Sequence, residues 1–228
     1  MSLQKNIPQI NSIICGDALA VLKTWPDEFI DCVITSPPYF NLRNYDIEGQ
    51  IGLEKTWQEY IGKLIAVFNE VKRVLKKEGT CFVNLGDSYS SIGEQGTYPE
   101  KCLMMIPERF GIRMIEQGWL LRNKLVWIKP NSMPESVQDR WKKAHEYIFF
   151  FTKSKKYHFN LNAIRTSHKE VSIKRAEYEQ GRNALGLNPG SIGEKYNRDK
   201  AHRDKTDKYY SMPERKVKLN PLGACPPD

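Results

Sequence analysis

The segment that most constrains the fold is a long amphipathic helix lying between two short apolar runs. Residues 56–77 carry apolar side chains at helical spacing and begin with Thr56 and Glu59, the two residues of a capping box. The run before the helix, residues 30–35, is largely apolar on both faces, as strands buried between helices are, and the run after it, residues 80–85, predicts a further strand that ends at Gly86-Asp87. Two such strands joined by a helix predict a parallel pair with a crossover connection, and therefore the α/β class.

This alternation continues along the first two thirds of the chain. The same criteria predict helices at residues 18–25 and 105–117 and strands at residues 11–15, 119–128 and 146–152. A long polar connection separates the last two strands, and beyond about Phe159 the periodicity fades. We therefore expect an α/β domain with a mostly parallel sheet over residues 1–160. Residues 161–228 are expected to form a basic, irregular region, either mobile or ordered by a partner.

The net charge of +8 lies in the last third of the chain. Residues 1–150 contain 18 basic and 18 acidic side chains, whereas residues 151–228 contain 17 basic and nine acidic ones. A neutral domain with a basic extension suits a polyanionic partner such as nucleic acid. A solvated, flexible basic tail explains the same charge, and charge alone does not decide between the two.

The cysteine and histidine pattern argues against disulfide-rich and metal-binding proteins. The five cysteines include no Cys-x-x-Cys pair, which suits a reducing cytoplasm better than a zinc site or a disulfide framework. His145 has no partner at ligand spacing, so we expect no metal. No apolar run approaches the roughly 18 residues of a membrane span, and the N-terminal residues lack the apolar core of a secretory signal. These features predict a cytoplasmic protein without a membrane partner.

The string Thr35-Ser36-Pro37-Pro38-Tyr39 stands at the carboxyl end of a predicted strand, where open α/β sheets bind their ligands. Neither proline has a backbone N–H, so the bend presents carbonyl oxygens without competing donors. The Ser36 hydroxyl can accept hydrogen bonds from an amino group, and the Tyr39 ring can stack on a base. Together these groups predict a pocket for a planar ring that carries an amine. The alternative is a strand that ends in a proline-stiffened turn.

Five segments resemble the amino-directed DNA methyltransferases, in the same order along roughly residues 11–160. They are Asp31-Cys-Val-Ile-Thr-Ser-Pro-Pro-Tyr39, Gly49-Gln-Ile-Gly-Leu-Glu54, Asn84-Leu-Gly-Asp-Ser-Tyr89, Trp127-Ile-Lys-Pro-Asn131 and Lys143-Ala-His-Glu-Tyr147. The first contains the Asp/Asn/Ser-Pro-Pro-Tyr/Phe catalytic motif of that family, which implies that Ser36, Pro37, Pro38 and Tyr39 form the catalytic site. The resemblance also implies a Rossmann-like fold, S-adenosyl-L-methionine as methyl donor, and double-stranded DNA whose target base is flipped out.

In this family the amine is activated by its position and needs no strong base. Its lone pair is delocalised into the ring, and hydrogen bonds from its N–H groups to Ser36 and the Pro37 carbonyl favour a pyramidal nitrogen. Serine at the first motif position is commoner among enzymes that act on cytosine N4, so we expect that target, with adenine N6 left open. Cytosine C5 methylation needs a Pro-Cys nucleophile, and the chain has no Pro-Cys.

Other residues are candidates for cofactor and DNA contacts. Asp17 follows a predicted strand, where the family places an acidic cofactor contact, although an N-cap for the following helix fits equally well. Asp87 ends the third strand at the same edge of the sheet, with a turn aspartate as the alternative. In the long polar connection the candidates for DNA contacts are Lys129, Asn131, Arg140, Lys142, Lys143 and His145. A solvated loop is the alternative for that stretch.

A complete member of the family carries a Gly-rich cofactor loop, whereas this chain contains no Gly-x-Gly. The order of its segments is similar to the permuted group, in which that loop follows the recognition region, and we assign residues 161–228 to this target-recognition region. We therefore expect a C-terminal cofactor-motif segment to be missing and to be supplied by a longer or a second polypeptide. The leading interpretation is a restriction-modification DNA methyltransferase. The alternatives are an adenine-N6 enzyme, a non-catalytic DNA-binding fragment and, more weakly, an RNA methyltransferase.

Overall fold

The computed structural model describes residues 7–91, 98–132, 134–170, 172–174 and 177–178. The chain divides into two units, Met1–Phe159 together with Asp228, and Asn160–Pro227. In the described part of the second unit, a short 3-10 helix, Leu161–Ile164, is capped by the side chain of Asn160. Most of the basic region lies outside the described residues, so its role in target recognition stays a prediction.

The described part of the first unit contains three helices and four strands. In chain order they are α1 (Ala18–Thr24), β1 (Ile30–Thr35), α2 (Trp57–Val74), β2 (Leu75–Leu85), α3 (Ile106–Glu116), β3 (Leu120–Ile128) and β4 (His145–Thr152). The predicted helices and strands are present except for the strand at residues 11–15, which is wrong. No described strand pairs with that segment, and the side chains of Ile13 and Ile14 are exposed.

Local capping explains where two of the helices begin. The Thr56 hydroxyl oxygen accepts from the backbone N–H of Glu59 at 3.2 Å, which starts α2 at the predicted residue. The Asp17 carboxylate accepts from the N–H of Ala20 at 2.8 Å and starts α1. The α2 helix ends at Val74, three residues before the predicted end, because Leu75 already pairs with β1.

The four strands form one mixed sheet in the order β1-β2-β4-β3. β1 and β2 are parallel, as predicted for two strands joined by a helix, whereas β4 is antiparallel to both of its neighbours. The expectation of a mostly parallel sheet is corrected by this reversed strand. Residues 129–144 contain no helix where they are described, so the chain turns back beside β3 instead of crossing over the sheet.

One face of the sheet packs against α2 and α3 and forms the core. The side chains that are almost fully buried there come from both helices and from the central strands: Tyr60, Leu64, Phe68, Ile106, Phe110, Met114, Cys81, Val83, Leu85, Phe149 and Phe151. Phe110 is at the centre, with its ring edge-on to Phe68, Phe149 and Phe151 at centroid distances of 5.1, 6.2 and 6.1 Å. This core fixes the positions of the strand ends.

The opposite face changes from apolar to polar toward the carboxyl end of β2. Phe82 stacks on Phe150 with ring centroids 4.7 Å apart. Two residues further along β2, on the same face by strand alternation, lies Asn84, and at the matching end of β4 lies Glu146. Polar side chains of two neighbouring strands therefore meet at one end of this face.

Within the described segments, the helices are too short or too polar to cross a membrane.

Candidate active site

The Ser-Pro-Pro-Tyr turn begins where β1 leaves the sheet. Thr35, the last residue of β1, pairs with Val83, and the following residue, Ser36, is exposed. Because β1 and β2 are parallel, the turn and the end of β2 lie at the same edge of the sheet. This is the position that the sequence predicts for a ligand site.

A buried tyrosine of α2 holds the second proline of the turn. The Tyr60 hydroxyl donates to the carbonyl oxygen of Pro38 at 2.9 Å, and burial, followed by the nearby carboxylate of Glu54, raises the pKa of Tyr60. The expectation that the prolines present carbonyls without competing donors is therefore wrong for Pro38, because α2 reaches the turn. The predicted contact to the amine uses the carbonyl of Pro37, which is a different atom.

Gly52 packs against the backbone of the turn at a position that has no room for a side chain. Its φ of +109° lies in a region that L side chains rarely adopt, and a Cβ atom there would lie 2.9 Å from the carbonyl oxygen of Tyr39. The Gly52 carbonyl accepts from the N–H of Asn41 at 2.8 Å, and its N–H donates to the buried carboxylate of Glu54 at 2.8 Å. Lys63 pairs with that carboxylate at 3.0 Å. The Gly-Gln-Ile-Gly-Leu-Glu segment thus forms the base of the turn.

The carboxylate of Glu146 joins the turn to the other strand ends. It accepts hydrogen bonds from the Tyr39 hydroxyl at 3.0 Å and from the side-chain amide of Asn84 at 3.0 Å, and it forms an ion pair with Lys129. The Ser36 hydroxyl lies 3.4 Å from the Tyr39 oxygen, at the limit of a hydrogen bond. Groups from the turn after β1, from β2 and from the β3–β4 loop therefore converge on one carboxylate of β4.

The ionisation states of this group follow from burial and contact. Burial raises the pKa of Tyr39 to about 12, and the Glu146 charge adds to this effect although the Ser36 hydrogen bond opposes it, so Tyr39 stays protonated at neutral pH. Burial alone would raise the pKa of Glu146, but hydrogen bonds from Lys129, Asn84 and Tyr39 outweigh burial and lower it. The site therefore contains an ionised carboxylate beside a neutral phenol.

Tyr39 borders two open cavities. The smaller, of about 470 Å³, is lined by the whole Ser-Pro-Pro-Tyr turn and by Asn84, and the larger measures about 990 Å³. Side chains that line both cavities are Tyr39, Leu42, Trp127, Lys129 and Glu146. These volumes are in the range of about 300–1,000 Å³ that holds small organic ligands. Aromatic walls with a few convergent polar groups suit a planar, polar ring.

Comparison with known proteins identifies the family. Residues 30–219 match the model of the family N6_N4_Mtase, described as DNA methylase. The chain belongs to this family of DNA methylases.

The curated relatives that match this chain include Type II methyltransferases. The Type II methyltransferases M.XycI of Xanthomonas campestris pv. cyanopsidis and M.Cfr9I of Citrobacter freundii are 44% identical over 170 residues and 43% identical over 171 residues. Each match covers 66% of this chain and 57% of the relative. The chain thus spans little more than half the length of these relatives.

A solved structure supports the fold of this chain. The PvuII DNA methyltransferase, described as cytosine-N4-specific, superimposes with a TM-score of 0.52 and 20% identity, and the match covers 76% of this chain and 62% of that one. At this identity the likeness concerns the fold alone. It confirms the predicted α/β methyltransferase architecture.

Most of the candidate DNA contacts line the larger cavity. This holds for Lys129, Asn131, Lys142, Lys143 and His145. Lys142 and His145 are exposed, whereas Lys143 is half-buried, donates to the backbone carbonyl of Asp87, and has a pKa lowered by burial. The structure brings these residues beside Tyr39, and their contact with DNA stays a prediction.

Two of the six candidates form ion pairs with acidic side chains of the described residues. Lys129 pairs with Glu146 in the site itself. Arg140 pairs with Glu135 at 2.6 Å, and its guanidinium lies 4.1 Å from the centre of the Tyr89 ring. Both cations must therefore exchange or share these partners in order to contact a phosphate.

The two candidate aspartates have defined structural partners. Asp17 caps α1 and lines a separate cavity of about 450 Å³, which shares no lining residue with the two beside Tyr39. Asp87 accepts from the N–H of Ile106 at 2.9 Å, so it caps α3 from outside the helix, and burial raises its pKa. The structure brings Asp87 to the larger cavity and does not bring Asp17 there. The cofactor role of Asp17 stays a prediction.

Sequence reasoning assigned no role to Glu146, Asn84 or Tyr60. Glu146 is the acidic residue at the start of a strand that continues as Tyr-Ile-Phe-Phe-Phe, and Asn84 is the amide near the end of an apolar strand. A charged or amide side chain in such a strand needs a polar partner. The need for a polar partner is therefore the sequence signal that could have identified Glu146 and Asn84.

Proposed function

We propose that this methylase transfers a methyl group from S-adenosylmethionine to the exocyclic amine of a base flipped out of double-stranded DNA, with cytosine N4 as the favoured target. The observation that carries the proposal is the exposed Ser36, followed in the chain by Pro37, at the carboxyl end of a parallel strand and in the wall of an open cavity. The Ser36 hydroxyl and the Pro37 carbonyl are the acceptors that we assign to the two N–H groups of an aromatic amine.

The residues of this site hold and orient the amine. When bound, S-adenosylmethionine would supply a sulfonium methyl group as the electrophile for the amine nitrogen. Hydrogen bonds to Ser36 and Pro37 favour a pyramidal nitrogen whose lone pair is available to that methyl group. The Tyr39 ring offers a face for stacking, and the walls of the cavity exclude water from the flipped base.

The described residues fit the reacting end of the cofactor. A sulfonium is a cation, and the cavities beside the turn are bordered by the aromatic rings of Tyr39 and Trp127 and by the ionised carboxylate of Glu146. Asp17 is the proposed contact for another part of the cofactor. Because the chain contains no Gly-x-Gly, we assign the Gly-rich loop to a further C-terminal segment or to a second polypeptide.

The choice of cytosine N4 rests on Ser36 at the first position of the catalytic motif, and adenine N6 is the alternative. The test is to express the complete reading frame, incubate the protein with S-adenosylmethionine and unmethylated genomic DNA, and analyse the digested nucleosides by mass spectrometry. N4-methylcytosine is the expected product. N6-methyladenine alone would overturn the cytosine assignment, and the absence of any new methylated base would overturn the proposed function.

A second candidate function follows from the missing Gly-x-Gly string. A chain without that string is also consistent with a DNA-binding fragment that has no working cofactor site. Calorimetry with S-adenosylmethionine separates the two. Tight binding by the product of the complete reading frame excludes the fragment, and no binding favours it.

The biological setting we propose is a restriction-modification system in the cytoplasm. The support is that several relatives are named Type II methyltransferases. Methylation-sensitive sequencing of DNA from cells that express the protein would reveal one short modified sequence. Modification scattered without a common sequence would contradict this setting.

A further inference from the structure

We propose that Glu146 is a positioning residue that sets the direction of a hydrogen-bond chain running from its carboxylate through Tyr39 and Ser36 to the amine of the base. The chain makes Ser36 an obligate acceptor, so that the site selects bases with an exocyclic amine over bases with a carbonyl at the same place. This inference rests on the proposed function, because it concerns the substrate class read by the same turn.

The direction of the chain starts at Glu146 because every neighbour of its carboxylate is a donor. Lys129 contributes an ammonium and Asn84 an amide N–H, and neither of these groups can accept. An ionised carboxylate has no hydrogen of its own, so the contact of 3.0 Å to Tyr39 requires the phenol to donate. The hydrogen of the Tyr39 hydroxyl is thereby committed to Glu146.

The next link is set by what remains on the phenol oxygen. With its hydrogen directed at Glu146, the Tyr39 oxygen can only accept, and the Ser36 hydroxyl lies 3.4 Å away with the geometry of a donor to it. A serine that donates its single hydrogen to Tyr39 keeps only lone pairs for the cavity. Ser36 can then accept from an N–H group and cannot donate to a carbonyl oxygen.

This arrangement predicts which bases the turn accepts. Cytosine and adenine carry an amine at the reacting position, whereas thymine, uracil and guanine carry a carbonyl at the corresponding place. If the Ser36 oxygen faced a carbonyl oxygen, lone pairs would meet lone pairs and no hydrogen bond could form. Leaving both oxygens unpaired is costly in a partly buried site. The chain therefore gives discrimination by class of functional group before any methyl transfer takes place.

The geometry around Tyr39 keeps this chain in one arrangement. Gly86 lies against the ring so closely that a Cβ atom would be 2.6 Å from its Cε2 atom, and Tyr60 fixes the neighbouring Pro38 carbonyl. The side chain of Glu146 is 17% exposed, so water competes little for its oxygens. If the ion pair of Glu146 with Lys129 served only stability, it would not require Tyr39 and Ser36 as neighbours.

The kinetic test compares Glu146→Gln with a matched variant. Glutamine is isosteric but brings a donor toward Lys129 and Asn84, so the direction of the chain is no longer fixed. We expect kcat of the complete protein to fall about ten- to a hundredfold, as for loss of a charge-assisted hydrogen bond, with little change in KM for DNA. Glu70→Gln, which breaks a half-buried ion pair with Arg73 on α2, should leave kcat within about twofold.

A double-mutant cycle separates positioning from general stability. Tyr39→Phe removes the middle of the chain, so adding Glu146→Gln to it should lower kcat no further. Additive losses would overturn the proposal. So would a wild-type kcat in Glu146→Gln together with an unchanged preference for DNA containing cytosine over the same DNA containing uracil.

The pH profile gives a readout that a purely structural carboxylate would not move. The titratable groups that face Glu146 are Tyr39 from the turn after β1 and Lys129 and Lys143 from the β3–β4 loop. The Glu146 carboxylate takes up a proton as the pH falls toward its lowered pKa, and Asp87, whose pKa is raised by burial, does so in the wall of the same larger cavity. Wild-type kcat should therefore decline on the acid side, and in Glu146→Gln the part of this decline that is due to Glu146 should be lost while the part due to Asp87 remains. A profile of the same shape in both proteins would overturn the proposal.

Tyrosine NMR tests the chain without methyl transfer. With ¹³Cζ-labelled tyrosine, the Tyr39 signal is assigned as the one lost in Tyr39→Phe. Glu146→Gln should shift this signal and lower the pKa of Tyr39, while Glu70→Gln should not. An unmoved signal would refute the chain even if the enzyme is active. If the wild-type protein methylates no DNA, the proposed function fails, and the NMR result still decides the hydrogen-bond chain.

Discussion

Gly86 lies directly against the ring of Tyr39. A Cβ atom at residue 86 would lie 2.6 Å from Cε2 and 2.8 Å from Cδ2 of the tyrosine, closer than real side chains approach. The glycine at the end of β2 therefore allows the ring to occupy the place where it contacts Glu146. Packing against Tyr39 is therefore a physical reason for a glycine in the segment at residues 84–89, besides any direct role of that segment in the chemistry.

The first prediction concerns that glycine. Gly86→Ala should displace the Tyr39 ring, lengthen its contact with Glu146 and reduce methyl transfer by about tenfold or more, since small misplacements in a site are costly. Gly62→Ala is the matched control, because Gly62 is an exposed helical residue with no atom within 4 Å of its added Cβ. The control should be stabilised by about 0.5–1 kcal/mol and remain active. Equal activity of the two variants would contradict the packing argument.

Ser36→Ala tests the assignment of the catalytic turn. Loss of the hydroxyl removes one acceptor for the amine, so methylation should fall by about ten- to a hundredfold. Non-specific DNA affinity, measured by fluorescence anisotropy, should be unchanged, because that affinity depends on phosphate contacts. Unaltered turnover would place the amine elsewhere.

Tyr60→Phe tests the support that α2 gives to the turn. The variant leaves the Pro38 carbonyl without its donor and should lower the free energy of unfolding by about 0.5–1.5 kcal/mol in a urea titration. Tyr45→Phe, at an exposed position, should change it little. A stability loss of the same size in both variants would mean that the contact to Pro38 contributes nothing measurable.

The lowered pKa of Glu146 makes a prediction about acid stability. A carboxyl with a lower pKa in the folded state binds fewer protons than in the unfolded chain, so it contributes stability above its ordinary value of 4.5. That contribution is lost as the pH falls through the lowered value. The difference in unfolding free energy between wild type and Glu146→Gln should be constant near neutrality and shrink below about pH 4.5. A constant difference down to pH 3 would contradict the assigned shift.

Lys142 provides a test of the predicted DNA surface. It is exposed and lines the larger cavity, so Lys142→Gln should weaken binding to all DNA sequences alike and reduce the slope of log affinity against log salt by about one. Lys155, beyond the other end of β4, is the control, and its replacement by glutamine should leave the slope unchanged. Identical slopes for the two variants would remove Lys142 from the DNA surface.

The elements that could be predicted are those whose side-chain pattern depends on one segment alone. The α2 helix follows from its apolar spacing and its Thr56 cap, and β1 follows from an apolar run that ends at two prolines. The direction of β4 was not predictable in this way, because hydropathy does not depend on strand direction. The segment at residues 11–15 failed for a related reason: an apolar run becomes a strand only when another strand pairs with it.

In the candidate site, too, residues that are close in sequence could be predicted and residues that only the fold brings together could not. Ser36 and Tyr39 are adjacent in sequence and were identified as a string. Glu146 lies 107 residues from Tyr39 and 62 from Asn84, so its role depends on the sheet order that brings β4 beside β2. Only the fold could reveal that one carboxylate joins these strands.

The pairing at the base of the β3–β4 loop has a consequence for how such a protein diversifies. Ile128 pairs with His145, and the N–H of Lys129 donates to the carbonyl of Ala144 at 2.7 Å. The two ends of the loop are therefore hydrogen-bonded to each other where β3 ends and β4 begins. Insertions or deletions between these anchors need not shift Glu146, which belongs to the ladder itself. Changes of loop length can therefore accumulate while Glu146 keeps its place in the sheet, which makes this loop a natural position for inserting or exchanging segments.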